Sequence, residues 1–301
     1  ASETPALDVV GAHMVRELDP GEVLVVDDTG CRSFHPFRET AVDPRLCLFE
    51  FVYFARPDSM LYGQNVHQAR VRMGEALAFQ APAEADLVMG IPESGIPAAE
   101  GFARASGIPY GQGLVKNRYI GRSFIAPTQS LRAATVRMKL NPLRDNLVDQ
   151  RLVVVDDSIV RGTTTRSMIR MLREVGAAEV HLRVSSPPYR WPCFYGMDTG
   201  SRAELLAANL TVDEIQRYLE VDSLSYLTID RLLEATGATG AGFCNACLTG
   251  DYPVEIPADL AEGMFEAIGK VKDLERPGTP VSVGYGHELP TEDASRLFPR
   301  A

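Results

Sequence analysis

Residues 153–165 (VVVDDSIVRGTTT) bring three kinds of chemistry together in one short stretch. An apolar run ends on two adjacent carboxylates, Asp156 and Asp157. A turn carrying Ser158, Arg161 and Gly162 follows, and three hydroxyls, Thr163, Thr164 and Thr165, open a periodic segment. A strand that delivers acids at its C-terminal end and then leads into a helix makes a phosphate cradle. The first helical turn offers unpaired N–H groups and a positive dipole end, threonines add donors, and glycine allows close backbone approach. Two carboxylates facing that phosphate would repel it, since unit charges 4 Å apart are worth about 4 kcal/mol at an effective dielectric of 20. Mg²⁺ or sugar hydroxyls placed between them remove the conflict, and both suit a phosphorylated ribose. The chain holds its own contrast. Residues 24–30 (LVVDDTG) repeat the apolar run and acid pair without a phosphate turn or helix, so Asp27 and Asp28 are expected in a hairpin turn.

The surrounding pattern supplies the elements that must position these groups. Helical spacing runs over residues 65–79, with Val66, Ala69, Met73, Ala76 and Leu77 on one face. Short buried-type strands are expected over 86–92, 151–157 and 179–186, alternating with helices over 98–105 and 164–175, the latter ended by Gly176. Such alternation indicates an α/β fold, a parallel sheet with helices on both faces. Thr211 and Glu214 have capping-box spacing at the start of another helix, and Thr228 opens one more. Residues 1 to about 45 are expected to be β-rich. The stretch beyond about Met264 lacks periodicity and is expected to be loosely ordered.

The chain has 301 residues, 45% hydrophobic and 23% charged, enough for one large or two smaller cores. No apolar run approaches the roughly 18 residues of a membrane span, and the richest, 46–55, contains Glu50. With no secretory leader in ASETPALDVV, a cytoplasmic protein without a membrane partner is expected. The net charge of −10 argues against nucleic acid as a partner. Its distribution is uneven. Residues 251–301 carry ten acids and five bases, whereas 116–144 carry Lys116, Arg118, Arg122, Arg132, Arg137, Lys139 and Arg144 with no acid at all. That run is either a solvated basic face or the site of an anionic ligand. Five cysteines argue against a disulfide framework. Cys244 and Cys247 form a CxxC that by itself is half a zinc site, a redox pair or a coincidence.

The stretch from Asp156 to Thr165 resembles the PRPP-binding motif of type I phosphoribosyltransferases. MGIPESGIPAAEGFA (89–103), GLVKNRYIGRSFIAPTQSLRAATVRMKLN (113–141), SSPPYRWPCFYGMDT (185–199) and FCNACLTGDYP (243–253) extend the likeness. Together, in this order, they resemble the amidophosphoribosyltransferases, glutamine-dependent enzymes that open de novo purine synthesis. The resemblance runs from about residue 2 to 256. It implies a type I phosphoribosyltransferase fold over 46–258, with 1–45 as the β-rich end of an N-terminal-nucleophile glutaminase domain and 259–301 as a C-terminal segment. Most of the glutaminase domain, and the cysteine that begins it, have no counterpart here.

By that resemblance, Ser158 and Arg161 to Thr165 hold the ribose 5-phosphate, and Asp156 and Asp157 contact ribose hydroxyls and Mg²⁺. Glu93, Ser94 and Gly95 form the pyrophosphate loop, with Ser94 joining the metal site; many relatives have Asp where Glu93 stands. Lys116, Arg118 and Arg122 begin a flexible loop that closes over PRPP and stabilises the departing pyrophosphate. The implied reaction is displacement at ribose C1 by ammonia, giving 5-phosphoribosylamine with inversion. The family's cluster-bearing branch implies a structural 4Fe–4S cluster on Cys47, Cys193, Cys244 and Cys247, leaving Cys31 free. Glutamine as ammonia source, purine nucleotide feedback inhibitors and a homotetramer are further family implications. A nucleobase phosphoribosyltransferase and a non-enzymatic PRPP sensor are the competing readings.

Overall fold

The computed structural model describes residues 1–36, 43–117, 139–197, 199, 201–238 and 242–257. Its centre is four parallel strands, β1 (Leu87–Gly90), β2 (Arg151–Asp156), β3 (Glu179–Val184) and β4 (Ser223–Tyr226), in the order β4-β3-β2-β1. Alternation along β2 divides the core. Leu152 and Val154 pack with Met168, Ile169 and Leu172 of α3 (Thr163–Val175) and with Ile215 and Leu219 of α4 (Val212–Leu219). Val153 and Val155 pack on the other side, with Val66, Ala69, Met73 and Leu77 of α1 (Val66–Gln80) and Ala98, Ala99 and Phe102 of α2 (Ile96–Ser106). Both faces are covered, which is why the strands read as unbroken apolar runs.

The expected elements are present with small shifts of boundary. Asn65 caps α1 by accepting from the Gln68 N–H, α2 begins at Ile96 ahead of Pro97, and Gly176 ends α3. The Thr211–Glu214 capping box is formed in both directions, and Thr228 precedes α5 (Ile229–Thr236). Strand β4 was not expected: SLSY alternates polar and apolar over only four residues, too short to stand out, and it becomes a strand by pairing with β3. Helices α1 and α2 touch backbone to backbone, since a Cβ on Gly74 would lie 1.8 Å from Ala98 O and one on Gly101 2.0 Å from Val71 O. Arg183, buried on β3, donates to Ala81 O, Pro82 O and Ser223 Oγ and so ties the end of α1 to the sheet; burial pushes its pKa down to about 10.

Val23–Asp27 and Gly30–Phe34 form the expected antiparallel hairpin, with Asp28 and Thr29 at the turn and Asp27 Oδ1 accepting from the Thr29 N–H. A short helix, Thr4–Val9, lies within the segment expected to be β-rich. Leu114–Lys116 pairs antiparallel with Leu140–Pro142, and Arg45–Cys47 pairs parallel with Gly242–Cys244. Among the described residues no helix is long and apolar enough to cross a membrane. The segment 259–301 lies outside the described residues.

Candidate active site

The C-terminal end of β2 delivers Asp156 and Asp157, only 9% and 5% exposed. Asp156 ends β2 in line with Leu152 and Val154, and Asp157 follows it where the chain leaves the strand. Asp156 Oδ1 accepts from the Asp157 N–H at 2.9 Å. Asp157 accepts from the Ser158 hydroxyl, and the Ser94 hydroxyl lies close enough to favour its charged form. Burial pushes both carboxyls above the usual carboxylate range, and the neighbouring Asp157 charge raises Asp156 further. Ser158, Ser94 and the Arg70 guanidinium pull Asp157 back. Two buried acids with a serine hydroxyl beside them make a hard oxygen donor set, the kind Mg²⁺ takes.

Ser94 is held there by a tight loop between β1 and α2. The Ile91 N–H donates to Val155 O at 2.9 Å and the Gly95 N–H to Ile91 O at 3.0 Å, so the loop is stitched both to β2 and to itself. The peptide bond between Pro92 and Glu93 is cis. A Cβ on Gly95 would stand 2.5 Å from Val155 O, so only glycine fits under this turn. Glu93 is exposed and lies 3.9 Å from Lys116 Nζ. Lys116 ends the strand that faces Leu140, and the Asn117 N–H donates to Lys139 O at 2.7 Å. Burial and the Lys116 charge lower the Lys139 ammonium pKa. Two cations therefore stand at the base of the basic stretch; Arg118 and Arg122 lie outside the described residues.

Beyond Asp157 the chain turns through Gly162, whose φ of 72° is the left-handed conformation glycine favours, into α3. No side chain caps this helix, so its first N–H groups stay open to an anion. Thr163 and Thr164 are exposed there, and Thr165 is buried. Arg161 is turned to Glu204 in an ion pair at 2.7 Å, which must open before Arg161 reaches a phosphate. Asp156, Asp157, Ser158, Ser94 and the cradle thus meet on one sheet edge, with Glu93 and Lys116 at its margin. Sequence reading missed Arg70. It is 3% exposed and donates to Phe51 O and Ala55 O at 2.8 and 2.9 Å. A charged residue inside the apolar stripe of α1 was the signal.

Residues 64–186 match the phosphoribosyl transferase domain family. The chain is 52% identical over 260 residues to the amidophosphoribosyltransferase of Synechococcus elongatus, covering 86% of this chain and 52% of the relative. It is 49% identical over 268 residues to that of Methanothermobacter thermautotrophicus, covering 89% and 56%. Among solved structures, the glutamine PRPP amidotransferase of B. subtilis complexed with ADP and GMP superposes with a TM-score of 0.79 at 49% identity, covering 86% of this chain and 57% of that one. This chain belongs to the amidophosphoribosyltransferase family. Its fold is that of the type I phosphoribosyltransferases. It spans about half the length of the relatives it matches.

The fold brings together the three segments that carry Cys47, Cys193, and the pair Cys244 and Cys247. Cys47 and Cys244 are direct neighbours across the parallel pair Arg45–Cys47 and Gly242–Cys244. Cys247 lies in the short helix Ala246–Thr249, and its carbonyl accepts from the N–H groups of Arg190 and Trp191 at 3.0 Å each, which brings in the strand of chain carrying Cys193. The other three sulfurs act electrostatically on Cys247, whose thiol pKa burial pushes well up; burial pushes Cys47 up to about 11. All five cysteines are unpaired, and Cys31 stands exposed on the hairpin. The four half-buried thiols are near enough to act on one another, though no three of their sulfurs lie within 4.8 Å, and soft sulfur donors of this kind are what an iron–sulfur cluster takes.

Proposed function

We propose that this chain transfers the 5-phosphoribosyl group of PRPP to ammonia, forming 5-phosphoribosylamine and pyrophosphate. One observation carries the reading: an acid pair, a pyrophosphate-type loop and an uncapped helix N-terminus converge on one sheet edge in a chain about half identical to amidophosphoribosyltransferases. The N–H groups and hydroxyls of Ser158 and Gly162 to Thr165 hold the 5-phosphate, and Arg161 joins them when its pair with Glu204 opens. Asp156 and Asp157 orient the ribose hydroxyls and, with Ser94, hold Mg²⁺, which when bound neutralises pyrophosphate charge. Glu93, Ser94 and Gly95 line the pyrophosphate side.

Lys116, Arg118 and Arg122 close over the ligand, exclude water and stabilise the charge growing on the leaving group. The ammonia nitrogen attacks C1 opposite the departing oxygen; the C–N bond forms as the C–O bond breaks, and the nitrogen then loses a proton. No side chain acts as nucleophile. In the same reading residues 1–45 stand for the end of a glutaminase domain, glutamine is the physiological ammonia source, and purine nucleotides bind as regulators. A homotetramer in the cytoplasm completes it. Cys47, Cys193, Cys244 and Cys247 hold a 4Fe–4S cluster that staples the amino-terminal junction to the carboxy-terminal segment.

The test is pyrophosphate release from PRPP and Mg²⁺ with ammonium, then with glutamine. Ammonium-dependent 5-phosphoribosylamine formation is expected, and a chain that binds PRPP but forms none would refute the reading. Release driven by a purine base instead of ammonium would move the chain to the nucleobase transferases. Iron and sulfide analysis of anaerobically purified protein decides the cluster, and stoichiometric zinc in a colourless sample would refute it.

A further inference from the structure

Two hydroxyls beside this edge have no part in that reaction. Tyr226, the last residue of β4, is 7% exposed, and its phenol oxygen is buried without a hydrogen-bond partner among the described residues. Ser186, two residues beyond β3 and 1% exposed, carries a second such oxygen. Packed interiors leave few polar groups in this state, because an unmade buried hydrogen bond forfeits the solvation the group had in water.

Their position in the sheet supplies a reason. Val184 pairs with Asp156 on one side and with Tyr226 on the other, so the three residues form one row across β2, β3 and β4. Val184 and Tyr226 both belong to the core on the α3 and α4 side, the side that alternation assigns to Asp156. Two strand spacings put the Asp156 and Tyr226 backbones roughly 10 Å apart. A phenol leaning over Val184 toward a carboxylate, with at most one water between, spans that distance. Asp156 and Arg190 act on the phenol by their charges, and among the described residues the Asp156 carboxylate has one hydrogen bond, from the Asp157 N–H, leaving most of its acceptor capacity unused.

We propose that Tyr226 is a positioning residue for Asp156: in the PRPP-bound enzyme its hydroxyl donates to the Asp156 carboxylate, directly or through one water shared with Ser186, and fixes that carboxylate toward the ribose. This rests on the reading of the edge as a PRPP site. The row is specific to Tyr226, since phenylalanine would fill the same space without the donor.

The experiment measures melting temperature and Mg²⁺–PRPP affinity of the full chain for the wild type, Tyr226→Phe, Ser186→Ala and Asp156→Asn. Tyr226→Phe removes a hydroxyl that has no partner among the described residues, so its melting temperature without ligand should be unchanged or higher. Its PRPP affinity should fall roughly tenfold to a hundredfold, the worth of a hydrogen bond to a charged group. Ser186→Ala should show a smaller loss of affinity. A structural role for the hydroxyl predicts the reverse pattern, a lower melting temperature with affinity intact, and either that result or wild-type affinity in Tyr226→Phe overturns the proposal. A wild type that does not bind Mg²⁺–PRPP, and so matches Asp156→Asn, refutes the PRPP reading and the proposal with it.

Discussion

Replacing Gly95 by alanine asks how closely the pyrophosphate loop is pressed onto β2. The added methyl would stand 2.5 Å from Val155 O, 3.0 Å from Ile91 N and 3.1 Å from Ile91 O. All of these are backbone atoms that cannot swing aside. Val155 O already accepts from the Ile91 N–H at 2.9 Å, and Ile91 O from the Gly95 N–H at 3.0 Å, so the methyl enters a space held by two hydrogen bonds. Ordinary contact begins near 3.4 Å, which means the loop must lift from β2 by about 0.9 Å. Overpacking of this kind costs about 1–3 kcal/mol. For a domain of this size that is a fall in melting temperature of roughly 2–10 °C. The functional effect should exceed the loss of stability, because the same lift draws the Ser94 hydroxyl away from Asp157. Thermal melts with and without Mg²⁺–PRPP separate the two: Gly95→Ala should melt lower and lose most of its ligand-induced rise, whereas Ser94→Ala should lose part of that rise with a near-normal melt. A Gly95→Ala protein with wild-type melting and wild-type ligand response would refute the packing argument.

Two further outcomes follow from the buried charges. Burial raises Asp156 and Asp157 above their unfolded values, so folding favours their protonated forms; the stability they contribute is complete below the ordinary carboxylate range and is lost as pH rises through their folded pKa values. Denaturant titrations without Mg²⁺ should therefore show that loss, diminished in Asp156→Asn, and added Mg²⁺ should offset it. Arg70→Met strips Phe51 O and Ala55 O of their donor and leaves Asp157 without its internal counter-charge, a change worth about 3–5 kcal/mol, whereas Arg70→Lys, a point charge without the fork, should recover only part. Urea midpoints of the two variants check the order.

Much of the candidate site was legible because it is contiguous. Asp156 to Thr165 lie on one strand, one turn and one helix start, and their spacing alone dictates acids at a sheet edge beside open N–H groups. The loop at Glu93 to Gly95 was legible through family likeness; that Gly95 lies under Val155 O is visible only once β1 and β2 are paired. Arg70, 86 positions before Asp156, and Tyr226, 70 positions after it, reach the acid pair through helix packing and strand order, distances in sequence that carry no local signal.

The sequence by itself determined three of the four central strands and the helices beside them, the phosphate cradle and the basic stretch at Lys116, since these depend on short-range periodicity, turn chemistry and charge. It also named four cysteines as one ligand set, but only through resemblance. The tertiary structure decided what no local pattern encodes. SLSY became a strand because β3 offered it an edge, and Asp156 came into one row with Tyr226 because β2 and β4 both pair with β3. Arg161 turned to Glu204, and Cys47 came beside Cys244, because burial and backbone pairing bring distant segments together and the chain's own order does not.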